Sequence, residues 1–238
     1  MMLQGLVMGG VSEKRIKYGY LYNWYATQGV GGNSVTNSDA WRIPIYGNGS
    51  STNDFAILNT ITGGNAKLKH IDSIGSTNSL YWNAPNTGAE NNFNFDLKGS
   101  GGRQSNGDFL SPKNDIYLMC SDLYSGNVIF AYFDRNGTYY VTSADIKKYG
   151  LSIRFIRTAT PSELLLANGA YCDKYIGNDG QKYLTVKIGA QVWMAENLAE
   201  TKYRNGDAIP NVTDNTAWAA LTTGARCAND NNESNVFI

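Results

Sequence analysis

The stretch Tyr183-Leu184-Thr185-Val186-Lys187-Ile188-Gly189-Ala190-Gln191-Val192-Trp193-Met194-Ala195 reads as a β-hairpin. Two strand-forming runs, 183–188 and 191–195, flank Gly189-Ala190. Glycine in first place of a two-residue loop supplies the backbone that a tight antiparallel turn needs. A second hairpin lies upstream: Val128–Phe133 and Thr138–Thr142 flank the four-residue loop Asp134-Arg135-Asn136-Gly137. Between the two, Leu151–Arg157 alternates, with Leu151, Ile153 and Phe155 on one face and Ser152 and Arg154 on the other. That pattern predicts a half-buried strand.

Helical signals are fewer. Ser51 and Asp54 stand at capping-box spacing, Phe55, Leu58 and Ile61 share an apolar face, and Gly63-Gly64 supplies a stop. Leu21, Trp24 and Tyr25 share helical spacing within Tyr18–Thr27, which predicts a short core helix there. Asp214 is placed to cap a further short helix carrying Trp218 and Leu221. Thr160-Pro161-Ser162-Glu163 is a helix-start signal that opens a short linker ending at Gly169. Residues 29–39 read as a loop, and so does the Asn-rich end from Ala228 to Ile238. Residues 75–111 read as long loops tied to the core by Tyr81, Trp82, Phe93, Phe95 and Phe109, and loops of that length point to function.

Composition narrows the classes of function. Of 238 residues 42% are hydrophobic and 17% charged, with zero formal net charge, and there are 26 Gly, 16 Tyr and 5 Trp. No basic surplus or stripe is present, so nucleic acid is not an expected partner. No run reaches the ~18 apolar residues of a membrane span, and Met1–Gly10 is too short for a secretory core, so neither membrane insertion nor an export signal is expected. Cys120, Cys172 and Cys227 are odd in number and fit neither a disulfide framework nor a zinc pattern; reduced structural thiols are expected, with no cofactor and no metal. The single histidine, His70, lies between Lys67, Lys69 and further polar residues and reads as a solvated surface group.

Several blocks together resemble a known family. Gln181–Gly189 and Val192-Trp193-Met194-Ala195-Glu196-Asn197-Leu198 are similar to the opening of the Fibrobacter succinogenes major paralogous domain. Tyr20-Leu21-Tyr22-Asn23-Trp24-Tyr25-Ala26, Trp41-Arg42-Ile43-Pro44 and Gly150-Leu151-Ser152-Ile153-Arg154-Phe155-Ile156-Arg157 resemble later parts of it. The resemblance spans Tyr18 to Val236. It implies a C-type-lectin-like α+β fold: two helices, a small twisted antiparallel sheet and long loops. In the family the VKIGxQVWMAENL block precedes YLYNWYA. Here it follows, as in a circular permutation, an order that similar phage and prophage tail proteins of gut Bacteroidales share. One domain would then be built from segments 18–157 and 170–238 joined by 158–169, with Asn231–Asn235 close to Tyr18.

The same superfamily includes formylglycine-generating enzymes, calcium-dependent lectins and the variable proteins of diversity-generating retroelements. Cys120 has no partner cysteine at the spacing the enzymes use, so no enzymatic activity is expected. Ala84-Pro85-Asn86 has alanine where calcium-dependent lectins carry an acid, and no Trp-Asn-Asp occurs. The resemblance to variable proteins fits best. Adenine-directed mutagenesis turns Asn codons into Tyr, Ser, Asp, Ile, Gly or Cys, and the region 116–149 is populated by such residues. The candidate ligand-binding residues are Ile116, Tyr117, Met119, Asp122, Tyr124, Asn127, Tyr132, Asp134, Tyr139, Tyr140, Ser143, Asp145 and Tyr149. Tyr gives rigid amphipathic contact at low entropy cost, while Ser, Asn and Asp give adaptable hydrogen bonds. The competing reading is that these are strand faces packed on the core. That reading suits Ile129, Ala131 and Phe133, whereas Tyr132 falls on the opposite face. The expected function is recognition of a host-surface protein or glycan receptor from a phage or prophage tail. A homotrimer is the assembly that similar fibres often adopt, and an adhesin on the bacterial cell surface is the alternative.

Overall fold

In the computed structural model, residues 16–28, 35–36, 40–47, 53–73, 79–110 and 112–237 are described. The strands are β1 (Tyr20–Tyr22), β2 (Gly102–Arg103), β3 (Phe109–Leu110), β4 (Asp115–Tyr124), β5 (Asn127–Asp134) and β6 (Tyr139–Ala144). They continue with β7 (Ile156–Thr158), β8 (Tyr171–Ile176), β9 (Lys182–Ile188), β10 (Gln191–Met194) and β11 (Arg226–Ala228). The helices are α1 (Trp24–Gln28), α2 (Asp54–Thr62) and α3 (Asn215–Ala219). The protein is therefore α+β, with three short helices among the described residues rather than the two expected. Instead of one small sheet the described residues form four antiparallel ones: β1-β11, β2-β3, β4-β5-β6 and β7-β10-β9-β8.

The opening hairpin forms as read. β9 and β10 pair antiparallel from Gln191↔Ile188 to Met194↔Thr185. Gly189 has φ +62, the left-handed region that an L side chain adopts at a cost. Trp193, buried, packs against Phe55 at 5.4 Å and Phe95 at 5.7 Å between ring centroids. That contact ties the hairpin to α2. The helix itself starts at Asn53, whose side chain accepts from the N–H groups of Phe55 and Ala56 at 3.0 and 3.1 Å; Ser51 lies outside the described residues. Asp54, the other half of the expected box, instead receives Arg42 and the Ile45 N–H. Gly63 closes the helix at φ +67.

Two sequence expectations are corrected by tertiary pairing. Tyr20–Tyr22 is a strand, because β11 offers it a partner through Tyr20↔Ala228, Leu21↔Cys227 and Tyr22↔Arg226. The helix begins only at Trp24, capped by Asn23, which accepts from the Ala26 N–H at 3.0 Å. Leu151–Arg157 is buried on both faces and is a regular strand only from Ile156. Its expected solvent face is covered: Ser152 hydroxyl meets Ser100 hydroxyl at 2.7 Å, and Arg154 is sealed among carbonyls.

The two long segments share their core. Met119, Val128 and Phe130 from one face of β4 and β5 pack with Tyr22, Ile153, Phe155, Tyr175 and Tyr183. Ile116, Leu118, Ile129, Ala131 and Phe133 from the other face pack with Phe55, Leu58, Val186 and Trp193. The first and last described stretches meet: Lys17 N–H donates to Val236 O at 2.8 Å and Tyr18 N–H to Asn235 O at 3.1 Å. The Asn-rich end is thus pinned, forming two 3-10 turns over Asn229–Asn231 and Glu233–Asn235. The linker is anchored as well. Glu163 pairs with Arg157 at 2.6 Å and accepts from the Thr160 N–H at 2.8 Å, while Leu165 stands 88% exposed. His70 is also corrected: it is half-buried, with Nδ1 against the Asp96 carboxylate and its ring edge-on to Tyr81 at 4.7 Å. Among the described residues no helix is long and apolar enough to cross a membrane.

Candidate functional site

The sheet β4-β5-β6 carries every candidate residue except Asp145 and Tyr149, which follow β6. Its register decides which of them meet. At the Tyr124↔Asn127 end a two-residue turn, Ser125 (φ +50) and Gly126 (φ +82), joins β4 to β5. Both residues are left-handed, the backbone this hairpin type demands. Between Met119 and Leu123 the register shifts by a bulge. Beyond it, Tyr117 lies opposite Tyr132, and Tyr132 lies opposite Tyr140 on β6. Three tyrosines therefore cross the sheet in one row on one face, since facing residues on neighbouring strands point the same way.

The row is close-packed. Ring centroids are 5.2 Å apart for Tyr117–Tyr132, tilted, and 4.8 Å for Tyr132–Tyr140, stacked at 26°. The Tyr132 hydroxyl donates to Asp115 Oδ1 at 2.8 Å. Burial, and after it the Asp115 hydrogen bond, raises the Tyr132 phenol far above its ordinary range. Tyr117 is raised in the same way, by burial first and then by Asp115, Tyr140 and Tyr149; all four tyrosines thus share one neighbourhood. Tyr140 is 45% exposed. The hydroxyls of Tyr117, Tyr140 and Tyr149 have no hydrogen-bond partner among the described residues and are not sealed from solvent.

Other candidates are placed elsewhere. Ile116 and Met119 are fully buried, one on each face of β4, and are core residues that no ligand can touch. Asp122 sits in the bulge and accepts from the backbone N–H groups of Tyr46 at 2.9 Å and Gly47 at 2.8 Å, so it anchors a loop. Asp134 is nearly buried and closes the β5–β6 turn, accepting from the Thr138 N–H at 2.7 Å. Tyr139 faces away from the row and packs on Phe133 at 5.0 Å. On that opposite side Tyr124, 64% exposed, and Ser143 border a cavity of about 260 Å³ with Tyr46, Ile129, Val141 and Thr142. Asn127 flanks the β4–β5 turn, and Asp145 is exposed. Asp115 is the residue the candidate set lacks. Nothing in the sequence marks it, because its value comes from the bulged register that sets it beside Tyr132.

The chemistry offered by this face is aromatic surface, hydroxyls and one carboxylate. No group of three or more His, Cys, Asp or Glu side chains is placed to hold a metal among the described residues. Cys120 and Cys227 are buried free thiols. Burial pushes Cys120 well up and Cys227 to about 12, so neither offers a thiolate near neutral pH.

The fold and this face describe an α+β protein with several small antiparallel sheets, one of them bearing an aromatic surface row. Residues 186–236 match the model of the Fibrobacter succinogenes major domain, which supports the family resemblance over that segment. The match runs from the middle of β9, past α3, to the C-terminal turn. No curated protein and no solved structure matches the chain.

Proposed function

We propose that the protein is a non-enzymatic ligand-recognition module of C-type-lectin-like type, serving as the receptor-binding protein of a phage or prophage tail. The observation that carries this reading is the tyrosine row. Three aromatic rings lie side by side on one sheet face, and among the described residues the Tyr117 and Tyr140 hydroxyls have no protein partner. A sheet that needed these residues only for its core would bury the rings and pair their hydroxyls. On the opposite side of β5, Ile129, Ala131 and Phe133 are buried and hold the platform rigid, as a recognition surface requires. The variable-protein reading then refers to the surface members only: Tyr117, Tyr124, Asn127, Tyr132, Tyr140, Ser143, Asp145 and Tyr149.

Sequencing this locus across many genomes of one microbial community tests the reading. Substitutions should concentrate at those eight codons, at adenine positions, and spare Ile116, Met119, Asp122 and Asp134. Variation spread evenly over the gene would remove the retroelement argument and favour an invariant adhesin. A stability measurement supplies a second check. Tyr140→Ala should shift the denaturant-unfolding free energy by no more than ~1 kcal/mol, because the ring is exposed and stacked on one side only. A loss of several kcal/mol would mean that the row is structural.

A further inference from the structure

We infer that the face formed by Tyr117, Tyr132, Tyr140 and Asp115 is a cation-accepting subsite that receives a lysine or arginine side chain of a protein partner. This rests on the recognition reading above and narrows it to a ligand class. The argument comes from a motif that the protein builds twice. At β1 the Tyr20 hydroxyl donates to Glu233 at 2.7 Å, and the Arg226 guanidinium lies over the Tyr20 ring at 4.0 Å. At β4 and β5 the Tyr132 hydroxyl donates to Asp115 at 2.8 Å in the same way. There no cation completes the set: among the described residues no Lys or Arg pairs with Asp115 or lies over any ring of the row.

The nearby basic groups are engaged elsewhere. Arg135 donates to Ala84 O at 3.0 Å, Lys148 to Ala219 O at 2.6 Å, and Lys147 lies over Trp24 at 5.3 Å. Asp115 is partly buried, and among the described residues its Oδ2 makes no hydrogen bond, nor is it sealed from solvent. Burial, and after it the neighbouring Asp134 carboxylate, raise the Asp115 pKa, against the Tyr132 hydrogen bond and the charge of Arg135, which makes no ion pair with it. A guanidinium or ammonium at the row would meet the open outer face of Tyr140 and the exposed ring edges, and would direct its N–H groups toward the Asp115 carboxylate. A neutral sugar would gain the stacking but would leave the carboxylate without a counter-charge.

The test uses the full chain with tyrosine ring signals followed by NMR, and N-acetyl-arginine amide as the probe. The probe should shift the Tyr117, Tyr132 and Tyr140 rings. Asp115→Asn, which keeps an acceptor for the Tyr132 hydroxyl, should weaken binding about tenfold, and added salt should weaken it in the parent only. Equal binding to parent and Asp115→Asn, or ring shifts with N-acetyl-glutamine amide or a methyl glycoside in place of the arginine probe, would overturn the cation assignment. Absence of any shift with the arginine probe would overturn it too. If codon variation still concentrates on the tyrosine row, the recognition reading stands and only the ligand class falls.

Discussion

Arg154→Met is expected to remove about 3–5 kcal/mol of folding stability, the range for breaking a buried charged network. Arg154 is fully buried, and its guanidinium is held entirely by neutral oxygens. Nε donates to Asn197 Oδ1 at 2.7 Å, Nη1 to Phe95 O at 2.5 Å and Met194 O at 3.4 Å, and Nη2 to Asp96 O at 3.0 Å. It also lies 4.6 Å over the Phe95 ring. Three parts of the chain therefore converge on one side chain: the 93–97 loop, the 151–157 segment and the turn after β10. Methionine fills a similar volume but leaves those carbonyls and the Asn197 amide oxygen without their donor, sealed from water. Burial lowers the Arg154 pKa to about 10, so the group stays charged at neutral pH and its network is intact there. Urea or guanidinium unfolding monitored by tryptophan fluorescence would measure the loss. A change below ~1 kcal/mol would mean that water satisfies those oxygens and that Arg154 does not hold the segments together.

Arg154 also shows why part of the fold was illegible in sequence. An alternating run with Ser152 and Arg154 on its polar phase reads as one wet face, and only distant partners at 95–96, 194 and 197 make that face dry. The hairpins were legible because their determinants are local. Gly189 supplies a left-handed turn, and the Asp134–Gly137 loop caps itself through Thr138. Tyr20–Tyr22 was misread because strand β11, two hundred residues away, overrides helical spacing. The candidate region was legible as strand and hairpin, with Tyr132 on the face opposite Ile129. Its membership was not. A straight hairpin from the Ser125-Gly126 turn would set Tyr117 away from Tyr132; the bulge at Cys120–Asp122, held by Asp122 on the Tyr46 and Gly47 N–H groups, brings the rings into one row. Bulges leave little trace in residue pattern.

The second large effect belongs to Glu200 and depends on pH. Its side chain is buried beside Gly177, where an added Cβ would force Oε1 to shift. Oε1 accepts from the Tyr183 hydroxyl and Oε2 from the Asp179 N–H, each at 3.2 Å, while the Glu200 carbonyl accepts from Tyr22. Burial first, and the Asp179 carboxylate second, push the Glu200 pKa up to about 8 from the ordinary 4.5. A raised carboxyl pKa means that the folded state keeps a proton which the unfolded chain releases. Its contribution to stability is complete below pH ~4.5 and is lost as pH rises through ~8. The loss is on the order of 5 kcal/mol, because the pKa rises by about 3.5 and each unit is worth about 1.4. Lys69, lowered by burial to about 8, acts with the opposite slope above that pH, but it is common to parent and variant. Glu200→Gln removes the titration while keeping an acceptor for Tyr183. The variant should match the parent near pH 5 and exceed it in unfolding free energy by pH 9, so that the difference curve isolates this one carboxyl. Parallel stability profiles from pH 5 to 9 would show that Glu200 is ionised in the fold and compensated by partners other than these.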